Sequence, residues 1–306
     1  MILSTLDKSR KGGAYEQIPS LVLGQRWTPQ LNSRNMMKVV LCVWIEPYIE
    51  NDLSFCVWPV HTPTTSKEVL TLSASTSPLP YTGNKSCIVN TILSVMPKHT
   101  VYIDPCMGSA EVFFRKPRAE KEILNDYNGD LVNLFRVIQN NEKLAYLLGR
   151  LYLSINGELA FKQNKDRLKG VPNILDDVIE TSQIFYDASW EDIQNAAAFL
   201  ENQVYSFSST GQTFGIARRD MSQRLPRLMS AYNRIRDAII LHRDYKDVIT
   251  YAACPGSFIL LDPPYKGTED MYSKANFDIE QHDILFSFMS EVNQQHHGEV
   301  KFLITY

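Results

Sequence analysis

The sequence predicts an α/β protein built around a parallel sheet, and two observations lead to this fold class. From Pro78 onward, short apolar runs typical of buried strands alternate with segments whose apolar residues recur at helical spacing. Strands that alternate with helices indicate parallel pairing through right-handed crossovers. The chain has 306 residues, of which 44% are hydrophobic, so it can bury the core that such a sheet needs.

The predicted elements follow in a regular order along the chain. They are a helix at 88–95 opened by Ser86, a strand at 100–103, a helix from Glu111, a strand at 122–124, an amphipathic helix at 129–139, a strand at 257–261, a helix around 282–293 and a last strand at 300–306. Residues from 141 to about 250 are mainly helical, with a polar loop at 206–215. Because this stretch is too long for a crossover, we expect it to form an inserted subdomain.

These elements divide the chain into three parts. Residues 77–140 and 250–306 form the sheet domain, residues 141–249 form the insert, and residues 1–76 are an N-terminal extension without an assigned role. The extension contains two strand-like runs, at 38–45 and 53–60, which would form a hairpin of marginal stability. A stretch rich in serine, threonine and proline at 62–77 is typical of a linker.

Composition argues against several classes of protein. No apolar stretch approaches the roughly 18 residues that are needed to cross a bilayer, so no membrane partner is expected. The five cysteines have no metal-binding spacing. Their odd number, without a secretion signal, predicts reduced thiols in the cytoplasm and no metal site.

One segment is basic although the chain as a whole carries a net charge of −3. Residues 215–246 contain eight basic and three acidic side chains, which gives a local charge of +5. Lysine and arginine supply most of the nonspecific affinity for DNA, and the polar loop just before this segment would reach base edges. The alternative is a solvated helical face.

The tetrapeptide Asp262-Pro263-Pro264-Tyr265 is the most informative motif in the chain. It follows the apolar run at 257–261, and its prolines end the strand and remove two backbone donors. Open α/β sheets bind ligands at the carboxyl ends of their strands. An acid, a backbone carbonyl and an aromatic ring at that edge suit a planar base with an amino group. A rigid turn after a strand is the alternative.

Three further segments lie at the ends of predicted elements. The turn at 104–109 contains Gly108, which lets the backbone approach a ligand closely. Asp126 follows the next strand, where an acid binds a ribose diol or caps the following helix. In the turn at 81–85, Tyr81 would lie against a ring and Lys85 would meet a carboxylate, unless this is a plain turn.

These motifs, in this order, resemble the DNA adenine N6-methyltransferases of the DPPY type, the D12 class with the alpha order of motifs. Residues 81–85 resemble the family's first motif, 104–110 its glycine loop and 125–128 its ribose motif. The segments 205–208 and 213–215 resemble part of its target-recognition region. Residues 266–269 and Tyr272 extend the match beyond the signature. The similarity covers about residues 77–306.

The resemblance implies a Rossmann-like methyltransferase sheet with a mainly helical target-recognition insert. It implies S-adenosylmethionine as methyl donor, no metal, and site-specific methylation of a flipped-out adenine in double-stranded DNA, with a restriction endonuclease as a candidate counterpart. The resemblance assigns catalysis to Asp262, Pro263, Pro264 and Tyr265. Donor binding falls on Tyr81, Gly83, Lys85, Asp104, Pro105, Gly108, Ser109, Asp126 and Asp262. DNA contacts fall on Ser208, Ser209, Thr210, Arg218, Arg219 and Arg224.

Two features depart from the family pattern. Ala110 stands where glycine is common, and we expect it to crowd the donor slightly. The chain ends at Tyr306, where members normally add further strands, so we expect the C-terminal strands of the sheet to be missing and an edge to be open. The alternative to an active enzyme is therefore a catalytically impaired DNA-binding remnant.

Related reactions fit the signature less well. Cytosine C5 methylation needs a Pro-Cys nucleophile, and the chain has Cys254-Pro255 in the reverse order. Methylation of the cytosine amino group more often goes with Ser-Pro-Pro-Tyr, and methylation of glutamine with Asn-Pro-Pro-Tyr. An adenine in RNA stays an open alternative.

Overall fold

Five parallel strands form the centre of the fold in the computed structural model, which describes residues 40–41, 76–176, 188–217, 219–264 and 279–305. A sixth, two-residue strand pairs antiparallel at one edge. In chain order the strands are β1 (Val40–Leu41), β2 (Val101–Asp104), β3 (Lys121–Asn125), β4 (Ile239–Leu241), β5 (Ser257–Leu261) and β6 (Lys301–Thr305). Their order across the sheet is β1-β6-β5-β2-β3-β4.

Helices connect the strands and cover the sheet. They are α1 (Val89–Val95), α2 (Glu111–Arg115), α3 (Gly129–Gln139), α4 (Asn141–Tyr152), α5 (Glu158–Lys169), α6 (Trp190–Tyr205), α7 (Leu225–Ile235), α8 (Tyr245–Ala252) and α9 (Ile279–Gln295). Two short 3-10 turns, Phe207–Ser209 and Met221–Arg224, stand between α6 and α7. Within the described ranges, no helix is long and apolar enough to cross a membrane.

The sheet is buried on both faces because successive strand residues point into different cores. Tyr102 of β2 and Phe258 of β5 belong to the core that contains residues of α1, α2, α3 and α6. Ile103 and Ile259, the next residue in each strand, belong to the core formed with α8 and α9. Strands that are covered on both sides must be apolar throughout, which explains the continuous apolar run of β5.

The order of the strands reverses between β2 and β5. From β2 the chain moves outward through β3 to β4, and then returns to place β5 and β6 on the other side of β2. In open α/β sheets a crevice forms at such a reversal, outside the carboxyl ends of the strands. Asp104 is the last residue of β2 and Asp262 directly follows β5. The topology therefore brings these two acids to one crevice.

Most of the predicted elements are confirmed, with one wrong detail and one omission. The helix at 129–139 and the strand at 257–261 have the predicted bounds. Ser86 does not cap α1, because its amide and hydroxyl both donate to Asn84 Oδ1 and the helix begins three residues later. The strand β4 was not predicted and lies inside the stretch expected to be helical.

The inserted helices share a core with the sheet domain. Leu200 of α6 and Leu134 of α3 are both fully buried in the same cluster, and β4, within 141–249, pairs with β3. The division into a sheet domain and a recognition insert stays a prediction.

The edge of β6 is paired at its last two residues. Val40 lies opposite Thr305 and Leu41 lies opposite Ile304, so the expectation of an open edge is wrong at these positions. The predicted strand at 53–60 and nearly all of the predicted linker lie outside the described residues.

A buried ion-pair cluster joins α7 to the amino-terminal side of β3. Glu122 accepts hydrogen bonds from Lys116 and from Arg234, whose Nη2 lies 2.8 Å from Glu122 Oε1. The Arg234 guanidinium also lies 3.7 Å from the ring centre of Phe113. Burial alone would raise the pKa of Glu122, but the hydrogen bonds from its two cationic partners outweigh burial and lower that pKa.

Candidate active site

A cavity of about 700 Å³ lies at the carboxyl edge of the sheet, where β2 and β5 end. This volume is in the usual range for small-molecule sites. Most of the predicted site residues line it, namely Tyr81, Gly83, Lys85, Asp104, Pro105, Gly108, Ser109, Asp126, Asp262, Pro263 and Pro264, with Ser209 and Thr210 from the predicted DNA contacts. Tyr265 and Arg218 lie outside the described residues.

The glycine loop after β2 is held in place by the neighbouring strand. The Gly108 amide donates to Asp126 Oδ2 at 2.9 Å, and the Met107 amide donates to the Asn125 carbonyl at 2.8 Å. Gly108 has a φ of +48°, a conformation that glycine adopts without strain. A Cβ at this position would lie 3.8 Å from the Tyr81 ring, so its absence keeps the space in front of that ring open.

Asn125, a fully buried amide, ties this loop to the segment that follows β4. Its Nδ2 donates to the carbonyls of Pro105 and Arg243, each at 2.9 Å, and its Oδ1 accepts from the Arg243 amide. The unpredicted strand β4 therefore has a direct part in positioning the cavity wall.

Asp126 lies on the cavity wall and is not the residue that caps α3. The cap is Asn128, whose side chain accepts from the Asp130 amide. Asp126 instead accepts from the backbone amides of Gly108 and Asn128, each at 2.9 Å. Burial raises the pKa of Asp126 to about 6 even though these hydrogen bonds lower it. Its role toward a ribose stays a prediction.

Asp262 is held by partners from two distant parts of the chain. Lys85, only 6% exposed, forms an ion pair with Asp262 Oδ2 and also donates to the Gly83 carbonyl at 2.8 Å. The Thr305 hydroxyl donates to Asp262 Oδ1 at 2.5 Å. The turn before α1 and the end of β6 therefore fix the carboxylate that follows β5.

Asp104 is the most deeply buried acid of the cavity, with 3% of its surface exposed. Its Oδ2 accepts from the Tyr102 hydroxyl at 2.9 Å, whereas its Oδ1 has no hydrogen-bond partner among the described residues. Burial raises the pKa of Asp104 to about 7. The hydrogen bond from Tyr102 and the charge of Lys85 lower this pKa, and the charges of Asp262 and Asp126 raise it.

The charges of the cavity favour a cationic ligand group. The residues that line it include six acids, Asp104, Glu111, Asp126, Asp130, Asp244 and Asp262, and four cations, Lys85, Lys165, Lys169 and Arg243. Lys85 is buried and already paired with Asp262. A site with this excess of carboxylates attracts positive charge. In the part of the chain that the structure describes, no group of three or more histidine, cysteine or acidic side chains is arranged to hold a metal ion.

Several lining residues were not found from the sequence. Thr305 stands near the end of the predicted last strand but was not among the predicted site residues. Phe199, Asn202 and Gln203 line the cavity from α6, whose helical pattern gave no indication of a site. Ala110 has a left-handed φ of 55° and does not line the cavity, and its expected crowding of the donor stays a prediction.

The predicted DNA contacts fall in different places. Ser209 and Thr210 line the cavity, and the Ser209 carbonyl accepts from the Thr82 hydroxyl at 3.2 Å. Ser208 is exposed beside them, whereas Arg219 donates to the Val204 carbonyl and Arg224 is half-buried before α7. A DNA-binding role for these residues stays a prediction.

A doubly covered parallel sheet with a cavity at its strand reversal defines the doubly wound class of α/β proteins, which bind ligands at that reversal. Comparison with known sequences places the chain within one family of this class. The family described as D12 class N6 adenine-specific DNA methyltransferase matches residues 81–306. The match covers more than half of the chain, and the chain belongs to this family.

Curated relatives agree with the family. The chain is 21% identical over 240 residues to the modification methylase LlaI of Lactococcus lactis subsp. lactis, covering 72% of this chain and 36% of that protein. It is 24% identical over 242 residues to a DNA N-6-adenine-methyltransferase of Escherichia phage P1, covering 74% of this chain and 29% of that protein. The modification methylase StsI of Streptococcus sanguinis is 25% identical to it over 240 residues, covering 72% of this chain and 34% of that protein. The chain thus matches about a third of the length of these relatives.

Proposed function

We propose that the protein transfers a methyl group from S-adenosylmethionine to the exocyclic amino group of adenine in DNA. Family membership and the names of the relatives support methylation of adenine in DNA in general. The observation that carries the finer proposal is the position of Asp262. It stands where β5 meets the cavity, beside two prolines, and the glycine loop and Asp126 line the same cavity.

The reaction needs help because the amino group of adenine is a poor nucleophile, with a lone pair delocalised into the ring. Asp262 and the Pro263 carbonyl would accept its two hydrogens and so direct the lone pair toward the methyl group. A carboxylate offers about four acceptor positions, so the contacts from Lys85 and Thr305 leave capacity for the amino group. The protein's part is then positioning and electrostatics, without a covalent intermediate.

The donor would occupy the side of the cavity formed by the glycine loop. Its positive sulfonium and ammonium groups would be attracted by the cavity's excess of carboxylates. Asp126 would accept from the ribose hydroxyls, and Gly108 leaves room for the donor in front of Tyr81. A target adenine would reach this cavity only by leaving the duplex, which requires a few kcal/mol. Tyr265 would offset part of this energy by stacking on the base.

The wider setting follows from the same proposal. The three described cysteines, Cys87, Cys106 and Cys254, are free, and a cytoplasmic location, where thiols stay reduced, is part of the proposal. Because the relatives include modification methylases, a restriction endonuclease that cuts the same sequence is the proposed counterpart.

Incubation with tritiated S-adenosylmethionine and plasmid DNA tests the proposal. We expect label in unmethylated plasmid and little in plasmid whose adenines are already methylated. Asp262→Ala should lower the rate by about 10²- to 10³-fold, the range typical of losing one electrostatic contact in an active site. Asp237→Ala, an exposed acid outside the cavity, is the matched control and should keep the rate.

Three outcomes would contradict parts of the proposal. Label in neither DNA, although the donor binds, would indicate a DNA-binding protein without transferase activity. Label on cytosine after hydrolysis would refute the assigned base. Full activity of Asp262→Ala would refute the mechanism but not the reaction. Sequencing that detects modified adenine in DNA from expressing cells would identify the base and its recognition site together.

A further inference from the structure

Among the residues that the structure describes, three side chains that line the cavity have an oxygen without a hydrogen-bond partner. Asp104 Oδ1, Asn202 Oδ1 and Gln203 Oε1 are each buried and unpartnered among the described residues, and their side chains line the same cavity. Asn202 is 3% exposed and Gln203 is 6% exposed. Leaving a buried polar atom unpaired is unfavourable, so native proteins retain it mainly where a ligand, water or function supplies the partner.

The two amides stand on one face of α6, and that face lines the cavity together with the glycine loop. Phe199 precedes Asn202 and Gln203 by three and four residues, so all three share this face. The ring of Phe199 lies 6.4 Å from that of Tyr81, which itself faces Gly108. An aromatic ring and two amides of α6 therefore line the cavity side by side.

Gln203 is held in position by its surroundings. A Cβ on Gly211 would lie 2.8 Å from Gln203 Nε2, and Gly211 has a φ of +69°, so glycine makes room for this amide. The Gly211 amide in turn donates to the Ser206 hydroxyl at 2.8 Å. The unpaired oxygen thus belongs to a packed side chain.

We propose that Asn202 and Gln203 are specificity residues that recognise the hydrogen-bonding edge of an adenine ring in this cavity. A side-chain amide offers one acceptor and two donors, which match the amino group and the adjacent ring nitrogen of adenine. The proposal rests on the proposed function, in which two adenines enter the cavity: that of the methyl donor and that of the target. Both present the same edge, and the experiment separates them.

The test replaces each amide with an apolar side chain of similar shape, as Asn202→Leu and Gln203→Met. Thermal melting is measured without ligand, binding of S-adenosylmethionine and S-adenosylhomocysteine by calorimetry, and methyl transfer to DNA at saturating donor. Removing an unpaired buried amide should leave the melting temperature unchanged or raise it. Asn195→Leu is the matched control, because Asn195 is a buried amide on α6 that is bonded to Arg167 and does not line the cavity.

Two results support the proposal. If the donor's adenine is the ligand, both variants bind S-adenosylmethionine and S-adenosylhomocysteine at least tenfold more weakly. If the target adenine is the ligand, donor affinity is retained and kcat/KM for DNA falls at least tenfold. In either case the Asn195→Leu control melts at a lower temperature and keeps its binding.

The opposite results overturn the proposal. The first is unchanged donor affinity together with an unchanged rate of methyl transfer. The second is an affinity loss confined to S-adenosylmethionine, which would locate the contact at the sulfonium. The third is a melting temperature that falls in both variants as it does in the control. Transfer by the wild-type protein is scored separately. If the wild type methylates no DNA, the proposed function fails, and the donor arm alone decides whether the amides recognise adenine.

Discussion

Replacing Asp104 with asparagine should make the protein more stable at alkaline pH and less able to bind its donor. The substitution keeps the shape of the side chain and an acceptor for the Tyr102 hydroxyl, but removes a charge that is almost fully buried. Burial raises the pKa of Asp104 from 3.8 to about 7, so the folded protein holds the proton more tightly than the unfolded chain.

The sign and size of the effect follow from proton linkage. Between pH 4 and pH 7 the unfolded chain has released the proton of Asp104 and the folded protein has kept it, so wild-type stability falls as the pH rises. At about 1.36 kcal/mol per pH unit, the interval from 3.8 to about 7 corresponds to about 4 kcal/mol. Asparagine does not titrate. The variant should therefore match the wild type near pH 4 and exceed its unfolding free energy by about 4 kcal/mol at pH 8.

Urea denaturation of both proteins at pH 4, 6 and 8 measures this difference, and calorimetry at pH 8 measures donor affinity. We expect the stability gain to grow with pH while donor affinity falls at least tenfold. A gain that is the same at every pH would refute the titration argument. A variant that is less stable than the wild type at pH 8 would show that the Asp104 charge is better compensated than its contacts indicate.

Three further predictions concern other buried polar groups. Glu122→Gln leaves two buried cations without their anion and should destabilise the fold by about 3 kcal/mol or more in thermal or urea denaturation, whereas Asp237→Asn at an exposed pair should change stability by less than about 1 kcal/mol. Thr305→Val removes a hydrogen bond to a carboxylate, worth about 1.5 kcal/mol, and should slow methyl transfer about tenfold with the fold retained, as radiolabel kinetics would show. Donor affinity should fall as pH drops from 7.5 to 5.5, because Asp104 and Asp126, with pKa values of about 7 and about 6, take up protons and lose the charge that attracts a cation; affinity that is flat by calorimetry over this range would count against that role.

The sequence predicted which residues form the site better than it predicted the contacts that hold them in place. The motif residues were found because they lie at the ends of strands. An acid after a strongly apolar run must emerge at a sheet edge, which placed Asp262 at the site without any knowledge of packing, and the family resemblance added Asp104, which ends the neighbouring strand. The partner of Lys85 was not predictable, since Asp262 lies 177 residues further along the chain. Thr305 and the α6 amides were missed for the same reason, because their places depend on tertiary packing.

The strand β4 was missed because the local residue pattern could not distinguish it from part of a helix. Ile239–Leu241 has only three residues and stands between two helices, so its apolar run reads as the continuation of a helical pattern. Its pairing with β3 decides its conformation. The consequence reaches the site, since Asn125 of β3 bonds the segment after β4 and the glycine loop at once.

Two buried acids on adjacent strands differ in how far the protein itself compensates their charge. Glu122 of β3 has two cationic partners and a lowered pKa, so its charge is compensated within the protein. Asp104 of β2, at the carboxyl edge, has a raised pKa, and the described residues give it one neutral hydrogen-bond donor and leave its Oδ1 without a partner. The deficit therefore points to a ligand that completes the hydrogen bonding and the charge of Asp104 when it binds.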